Sequence, residues 1–299
     1  MQATIAAPVS QMGSASRVLP AGTHISFAEF RVADTERALR LYSGLLGLRV
    51  SGTAGNTTYL SPSDSNEPML LLTEDASAKP RPARAPGLFH LALLFPSRKA
   101  LAGAFSRLYE NRWPFQGFAD HGVSEALYLA DPEGNGIELY VDRPRSQWPM
   151  ANGQVQMVTE QLDLDGLMSE LGRSKTASRP DSTSLVIGHI HLQVSDLHTA
   201  EQFYHGMLGF DVTQRDFPGA LFMSAGGYHH HIGVNIWNSR GAAAPPPGTS
   251  GLLQFGVSVG QTDVVQSLAD KTRSSAHWSG ETAAGFTLRD PNAITVALS

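Results

Sequence analysis

The sequence predicts an α+β fold of four βαβββ modules, paired into two eight-stranded half-barrels. The first observation is an internal repeat, because residues 32–48 recur in modified form as residues 194–210, and residues 87–91 recur as residues 251–255. The second is that four segments read alike, each as one strand, one helix and three strands. A single βαβββ unit leaves one sheet face and one edge open, and pairing two units covers both.

The first module begins with a strand at residues 25–31 and continues with a helix at about 35–44. Asp34 is a suitable N-cap, because its side chain can accept a hydrogen bond from a free backbone amide of the first turn. Gly47 suits the left-handed conformation in which many helices end. Apolar side chains recur at helical spacing at Ala38, Leu41 and Leu45. Three further strands are predicted at 48–51, 57–60 and 69–73.

The other three modules repeat this plan. The second is predicted to hold a strand at 88–95, a helix at 97–111 and strands at 115–118, 124–130 and 136–141. The third runs from residue 187 to about 237, with a helix near 197–205. The fourth runs from 252 to 298, with a helix near 262–274.

The repeat divides the chain into two halves of two modules each. The predicted divisions are an N-terminal tail at 1–21, an N-terminal domain at 22–142, a connector at 143–184 and a C-terminal domain at 185–299. The connector is polar, and one amphipathic helix is expected there at residues 162–171. The Pro- and Gly-containing segment 241–250 predicts a loop between modules three and four.

Composition excludes several classes of function. The 299 residues suit two domains, with 41% hydrophobic and 16% charged residues. A net charge of −5 offers no basic surface for nucleic acid or a membrane, and no stretch approaches the roughly 20 apolar residues of a membrane span. Because the chain has no cysteine, disulfides, thiolate metal sites and a Cys nucleophile are excluded. A cytoplasmic location is expected, and a homodimer is left open.

The two halves differ at positions where a metal could bind. A single histidine on a strand is ordinarily a hydrogen-bonded core or surface residue and is weak evidence for a metal site. The stronger evidence is that three differences between the halves fall at equivalent strand positions of the repeated modules. Two imidazoles and one carboxylate are the ligand set of a non-heme Fe(II) site with open positions, and Mn(II) would also accept them. The mismatches are His90 against Gln254, Glu138 against Thr295, and His189 against Phe27.

The same segments resemble a known superfamily. The run from Gly87 to His90, the run 131–140 and the spacing from His189 to Asp196 are similar to the vicinal oxygen chelate superfamily, over about residues 22–142 and 185–299. That superfamily has a glyoxalase-like fold and includes glyoxalase I, fosfomycin-resistance enzymes and extradiol ring-cleaving dioxygenases. Within it, the runs at 120–128 and 226–235 resemble the catechol 2,3-dioxygenase-like proteins of bacteria.

The resemblance implies a function and a ligand set. In the superfamily, the metal ligands come from the first strand of one module and the first and last strands of its partner, which here gives His189 with His90 and Glu138. Neither half alone holds such a triad, so the ligand count predicts pairing of module two with three and of one with four, although pairing within each half stays open. The implied activity is Fe(II)-dependent extradiol cleavage of a small aromatic diol by O2, with Mn(II) as the other metal.

Further candidate residues follow from the resemblance. Tyr128 lies ten residues before Glu138, where extradiol enzymes carry a site Tyr, and His121 lies near the place of another family His. A His of the run 229–231 would serve as acid and base. Alternation along a strand places His231 or His229 in the cup and His230 outside it, and His231 is preferred. Tyr128 as an ordinary half-buried aromatic residue stays an alternative.

Two other functions remain open. The first is another metal-dependent enzyme of the superfamily, such as a glyoxalase-type isomerase or a thiol transferase. Those sites usually carry a fourth ligand, typically a Glu on the last strand of the partner module, and residues 232–237 contain no acid. The second is a protein that binds an aromatic compound or a drug without turnover.

Overall fold

The computed structural model describes residues 19–172 and 180–299. Most of the predicted N-terminal tail, residues 1–18, and residues 173–179 of the connector lie outside the described residues. Within the described ranges, the strands form two eight-stranded sheets and one two-stranded hairpin. None of the helices in these ranges combines the length and the apolar character that crossing a membrane requires.

Module one follows the predicted order with one local difference. Asp34 caps the helix as predicted, since its side chain accepts a hydrogen bond from the Arg37 backbone amide at 2.9 Å. The helix changes at Arg40 into a π-helical turn, Arg40–Leu45, a difference that the spacing of apolar residues over one turn cannot reveal. The elements are β1 (His24–Val32), α1 (Thr35–Leu39), β2 (Arg49–Ala54), β3 (Thr57–Ser61) and β4 (Leu70–Glu74).

Module two agrees closely with the prediction. Its helix is capped by Ser97, which accepts a hydrogen bond from the Ala100 backbone amide at 3.2 Å. The elements are β5 (Gly87–Leu94), α2 (Arg98–Glu110), β6 (Phe115–Asp120), β7 (Ser124–Ala130) and β8 (Gly136–Asp142).

The connector holds more structure than predicted. Its helix is shorter than the expected range 162–171, and a small hairpin precedes it. Two-residue strands are too short for alternation to indicate them, so the sequence pattern does not reveal the hairpin. The elements are a 3₁₀ turn (Arg145–Gln147), β9 (Met150–Ala151), β10 (Gln154–Val155) and α3 (Leu164–Ser169).

Modules three and four complete the repeat. A π-helical turn, Gln202–Met207, recurs in module three at the place equivalent to that in module one. Residues 241–250 form the predicted loop. The elements of module three are β11 (Val186–Gln193), α4 (Leu197–Glu201), β12 (Asp211–Gln214), β13 (Ala220–Ser224) and β14 (Ile232–Asn235). Those of module four are β15 (Gly251–Ser258), α5 (Thr262–Thr272), β16 (Trp278–Thr282), β17 (Gly285–Arg289) and β18 (Thr295–Leu298).

The modules pair across the two halves of the chain. One sheet has the order β16-β17-β18-β15-β1-β4-β3-β2 and joins modules four and one, while the other has the order β12-β13-β14-β11-β5-β8-β7-β6 and joins modules three and two. The joins are antiparallel pairs of first strands, β1 with β15 and β5 with β11. The predicted α+β fold with two eight-stranded half-barrels is confirmed, and so is the cross-pairing that the ligand count predicts.

One large apolar cluster connects the four modules. One continuous cluster of buried side chains includes members from the first strand of every module: Phe30, Leu91, Ile190 and Phe255. Because both sheets contribute to this cluster, the position of each half-barrel constrains the other.

Two buried hydrogen bonds also join the two sheets. Tyr42, in the π-helical turn of module one, donates to Asp131 Oδ2 of module two at 2.9 Å. The repeat preserves this pair, since Tyr204 of module three donates to Asp290 Oδ2 of module four at 3.0 Å. Burial raises the pKa of both aspartates above the usual carboxyl range. Each tyrosine therefore shares with neighbouring backbone amides the compensation of lost hydration at its carboxylate.

We expect Tyr42→Phe and Tyr204→Phe each to lower the free energy of unfolding by about 1–3 kcal/mol, because each removes one hydrogen-bond donor from a buried carboxylate. Urea denaturation monitored by circular dichroism measures this change. Tyr109→Phe is the matched control, since Tyr109 is 70% exposed, and it should change stability little. Equal free energies of unfolding for all three variants would contradict a stabilising role for the two Tyr–Asp hydrogen bonds.

Candidate metal centre

Three neighbouring strands bring two histidines and a glutamate together on one sheet face. Strand β5 pairs antiparallel with β11 and parallel with β8. Ala92 on β5 is in register with both His189 on β11 and Glu138 on β8. His90 lies two residues before Ala92, and its side chain therefore points to the same face. The cross-pairing of modules two and three thus places these three side chains on the concave face of one sheet.

The three side chains meet at ligand-like distances. His90 Nε2 lies 2.9 Å from Glu138 Oε2, His189 Nε2 lies 3.2 Å from the same oxygen, and the two Nε2 atoms are 3.3 Å apart. Their exposed fractions are 6%, 2% and 1% for His90, Glu138 and His189. Three atoms at right angles and about 2.1 Å from one ion are about 3.0 Å apart, so the spacing fits a single divalent cation.

The electrostatics favour the protonation states that a metal requires. Burial by itself raises the pKa of Glu138, but the charges and hydrogen bonds of His189 and His90 outweigh burial and hold that pKa well below its usual range. Burial lowers the pKa of His189 to about 4 in spite of Glu138. At neutral pH the group therefore offers an anionic carboxylate and a neutral imidazole at His189, which is the metal-binding form.

A second cluster shares one member with the first. Ligand atoms of His189, His229 and His230 also lie within 4.8 Å of one another, and all three residues are buried. The ring centroids of His189 and His230 are 3.9 Å apart. The group with His90 and Glu138 contributes a negative charge and an oxygen ligand, which suits Fe(II) or Mn(II) better than three neutral imidazoles do.

The first group lies at a cavity of about 430 Å³ on the concave face. This volume is within the range of small-molecule sites. Besides His90 and Glu138, its polar lining includes His121, Tyr128, His191 and His230. Its aromatic walls are formed by Phe89, Phe118, Phe217, Phe222 and Trp237.

Tyr128 and His121 form a hydrogen-bonded pair in this cavity. His121 Nδ1 lies 2.6 Å from the Val158 carbonyl, so Nδ1 carries the proton and donates. Its bare Nε2 then accepts from the Tyr128 hydroxyl at 2.7 Å. Burial and the charge of Glu138, its register partner on β8, raise the pKa of Tyr128 well above the usual range. The hydroxyl is therefore neutral and able to donate at neutral pH.

The histidine run at 229–231 differs from the prediction. His230 lines the cavity, whereas His231 does not, and Nδ1 of His231 accepts a hydrogen bond from the Ala225 backbone amide at 3.2 Å. Burial lowers the pKa of His231 to about 3. The expected orientation was wrong because strand β14 starts only at residue 232, and the preceding turn, with Gly226 and Gly227 at φ 62 and 68, breaks the alternation.

Sequence reasoning also missed a contributing residue on β8. Asp142 Oδ1 lies 3.0 Å from His229 Nε2. The signal was present, since Asp142 is four residues after Glu138 on the same strand and alternation puts both side chains on one face. His191 lies two residues after His189 on β11 and also lines the cavity, and its Nε2 is 3.0 Å from the Asn235 side-chain nitrogen.

The equivalent face of the other sheet holds hydrogen bonds in place of these ligands. Gln254 Nε2 donates to Glu29 at 2.6 Å, and the Thr73 hydroxyl donates to the other oxygen of Glu29 at 2.6 Å. Thr295 lies in register beside Gln254. Among the described residues, both groups of three potential metal ligands belong to the sheet of modules two and three. The mismatches in the repeat thus separate one candidate site from one hydrogen-bonded counterpart.

Comparisons with known proteins agree with this architecture. A family model described as Glyoxalase/Bleomycin resistance protein/Dioxygenase superfamily matches residues 24–139 and 186–290. A protein named catechol-2,3-dioxygenase, from Bacillus subtilis (strain 168), is 42% identical over 273 residues, which are 90% of this chain and 94% of the relative.

Solved structures are similar in fold at low sequence identity. One from Bacillus subtilis subsp. subtilis str. 168 has a TM-score of 0.63 at 12% identity, covering 92% of this chain and 84% of that one. Glyoxalase I from Zea mays has a TM-score of 0.55 at 14% identity, covering 93% of this chain and 92% of that one.

Proposed function

This chain belongs to the glyoxalase/bleomycin resistance protein/dioxygenase superfamily, and from that premise we propose that it is an extradiol ring-cleaving dioxygenase for catechol-type aromatic diols. The observation that carries the proposal is the buried group of His90, Glu138 and His189 at an aromatic-lined cavity. The relative named catechol-2,3-dioxygenase supports it, because the 42% identity extends over most of both chains.

Fe(II) is the proposed metal, with Mn(II) as the alternative, and His90, Glu138 and His189 would hold it. A ligand set of two imidazoles and one carboxylate leaves coordination positions free for other molecules. When bound, the ion supplies Lewis acidity and a path for electrons between an aromatic diol and O2.

The proposed reaction is balanced without an external reductant. The ring carbon–carbon bond beside the two hydroxyl groups breaks, and both atoms of O2 enter the product, which is a ring-opened acid with an aldehyde or ketone group. The four electrons come from the aromatic diol itself. The protein must remove protons from the diol, return one during ring opening and keep bulk water away.

His230 is the residue to which we assign proton transfer. It is buried, it lines the cavity, and burial lowers its pKa well below the usual imidazole range. A neutral imidazole beside the substrate can accept a hydroxyl proton and return it later. The Tyr128 hydroxyl, which gives its proton to His121 Nε2, also lines the cavity, and its oxygen can accept a hydrogen bond from a substrate hydroxyl.

The aromatic walls would orient the substrate ring. The Phe89 and Trp237 rings meet edge to face with centroids 5.2 Å apart, and those of Phe217 and Phe222 with centroids 5.7 Å apart. Flat apolar surfaces of this kind pack against an aromatic ring and displace water.

The cytoplasmic location and the homodimer considered from the sequence stay predictions.

Anaerobic loading with Fe(II), followed by a panel of catechols and O2, tests the function. The expected result is a yellow ring-opened product and uptake of one O2 per diol. Absence of product across the panel, with one metal verified per chain, would count against the proposal. Turnover without O2 in the Zn(II) or Ni(II) form would indicate an isomerase or a transferase instead. Unchanged binding of an aromatic ligand by His90→Ala, without turnover in the unaltered protein, would indicate a binding protein.

Metal binding alone should stabilise the fold. At about 100 times its Kd, Mn(II) is expected to add roughly 2.7 kcal/mol by mass action, which corresponds to a rise of several degrees in Tm. Scanning calorimetry of the metal-free chain with and without Mn(II) measures this, and a chelator should reverse it. An equal rise in Tm for Glu138→Ala would place the stabilising ion elsewhere.

A further inference from the structure

We infer that Asp142 and His229 determine which ring nitrogen of His230 carries the proton, so that Nε2 of His230 is bare where it serves the cavity. The catalytic consequence rests on the proposed function, whereas the proton position does not. Asp142 and His229 act through His230 and are therefore positioning residues.

The three side chains form one hydrogen-bonded chain. His229 Nε2 lies 3.0 Å from Asp142 Oδ1, and His229 Nδ1 lies 2.8 Å from His230 Nδ1. His229 and His230 are buried, while the side chain of Asp142 is 26% exposed at the outer end. Both nitrogens of His229 are thus engaged, one by a carboxylate and one by the histidine of the cavity.

The donor inventory leaves one arrangement for neutral rings. A carboxylate only accepts, so His229 Nε2 must carry the proton and donate to Asp142. A neutral imidazole has a single N–H, so His229 Nδ1 is bare and must accept. The 2.8 Å contact then requires that His230 Nδ1 carry the proton and donate. His230 Nε2 is left with a free lone pair, which is the form that a general base requires.

Packing holds the middle ring of this chain in place. The ring centroids of Tyr228 and His229 are 4.0 Å apart, and those of Trp148 and His229 are 5.2 Å apart. The backbone is also held, because the Thr213 hydroxyl donates to the His229 carbonyl at 2.6 Å. A ring packed against two aromatic neighbours in this way cannot exchange its two nitrogens without displacing them.

The cation next to Asp142 pairs with other carboxylates, so Asp142 is available to accept a hydrogen bond from His229. The adjacent cation, Arg143, bonds to Asp120 at 2.5 Å and to Glu125 at 3.2 Å. The other donor to Asp142 is the neutral hydroxyl of Tyr228, 3.2 Å from Oδ1. Of the two nitrogens of His229, the one facing this carboxylate is therefore the one that favours the proton.

Nitrogen NMR on the unaltered chain tests the proton position without any activity. Long-range proton–nitrogen spectra of the ¹⁵N-labelled full chain distinguish Nδ1–H from Nε2–H imidazoles, both metal-free and loaded with diamagnetic Zn(II). Signals of His230 are assigned by their absence from His230→Gln. We expect His230 as Nδ1–H and His229 as Nε2–H. Finding His230 as Nε2–H would overturn the inference, whether or not the protein opens catechols.

Asp142→Asn tests the consequence, because an amide can donate as well as accept. We expect mixed protonation of His230 and a fall in kcat of about 10- to 100-fold, part of the roughly 10²- to 10⁴-fold that acid–base catalysis contributes, with KM within about twofold. Asp216→Asn, which removes an exposed carboxylate of module three, the module that carries His230, is the control and should change neither. Unchanged NMR spectra and kcat in Asp142→Asn would contradict the inference, and if this variant does not fold, the spectra of the unaltered chain decide it.

Discussion

Replacement of Glu138 by Ala is expected to abolish metal binding and to lower kcat/KM for ring opening by on the order of 10³-fold. Glu138 accounts for the negative charge of the three-residue group, and its Oε2 is the atom that both histidines face, at 2.9 and 3.2 Å. A bound ion contributes several kcal/mol of charge stabilisation, and each 1.4 kcal/mol corresponds to about a tenfold change in rate.

The repeat offers a matched control for this variant. Thr295 occupies the place equivalent to Glu138 in the other sheet, beside Gln254. Thr295→Ala should therefore retain the metal and the activity. Metal per chain by mass spectrometry and initial rates of product absorbance measure both effects. Retention of one metal per chain by Glu138→Ala would contradict the assignment of His90, Glu138 and His189 as the metal centre.

Replacement of His230 by Ala is expected to lower kcat by about 10²- to 10⁴-fold and to leave metal content unchanged, because it removes the group that moves the proton without removing a ligand. His231→Ala is the control in the same run of histidines. Its ring lies outside the cavity and accepts from the Ala225 backbone amide, so that variant should lose stability more than activity.

Rates and metal content of the two variants, measured side by side, separate the alternatives. Loss of metal in His230→Ala would favour the second cluster, formed by His189, His229 and His230, as the true site. A large fall in kcat for His231→Ala alone would support His231, the residue that alternation along the strand favours, as the acid and base.

Much of the fold and part of the site could be predicted from the sequence. The repeat defines four modules, and the mismatches at His90, Glu138 and His189 predict which modules pair, because a metal site needs all three ligands on one sheet face. Strand alternation places Tyr128 and Glu138 on one face, and the structure has them in register. These predictions succeed because each residue lies inside a regular strand, where a side chain's direction follows from its position.

The sequence by itself determined the four modules, predicted their pairing across the halves while leaving pairing within each half open, and identified the strand residues that share the cavity. Only the tertiary structure decided that His230 rather than His231 lines the cavity, and that Asp142 reaches His229. The physical reason is that residues 226–231 form a turn with left-handed glycines, in which side-chain direction has no fixed period. Contacts between such a turn and another module depend on how the strands are paired in space.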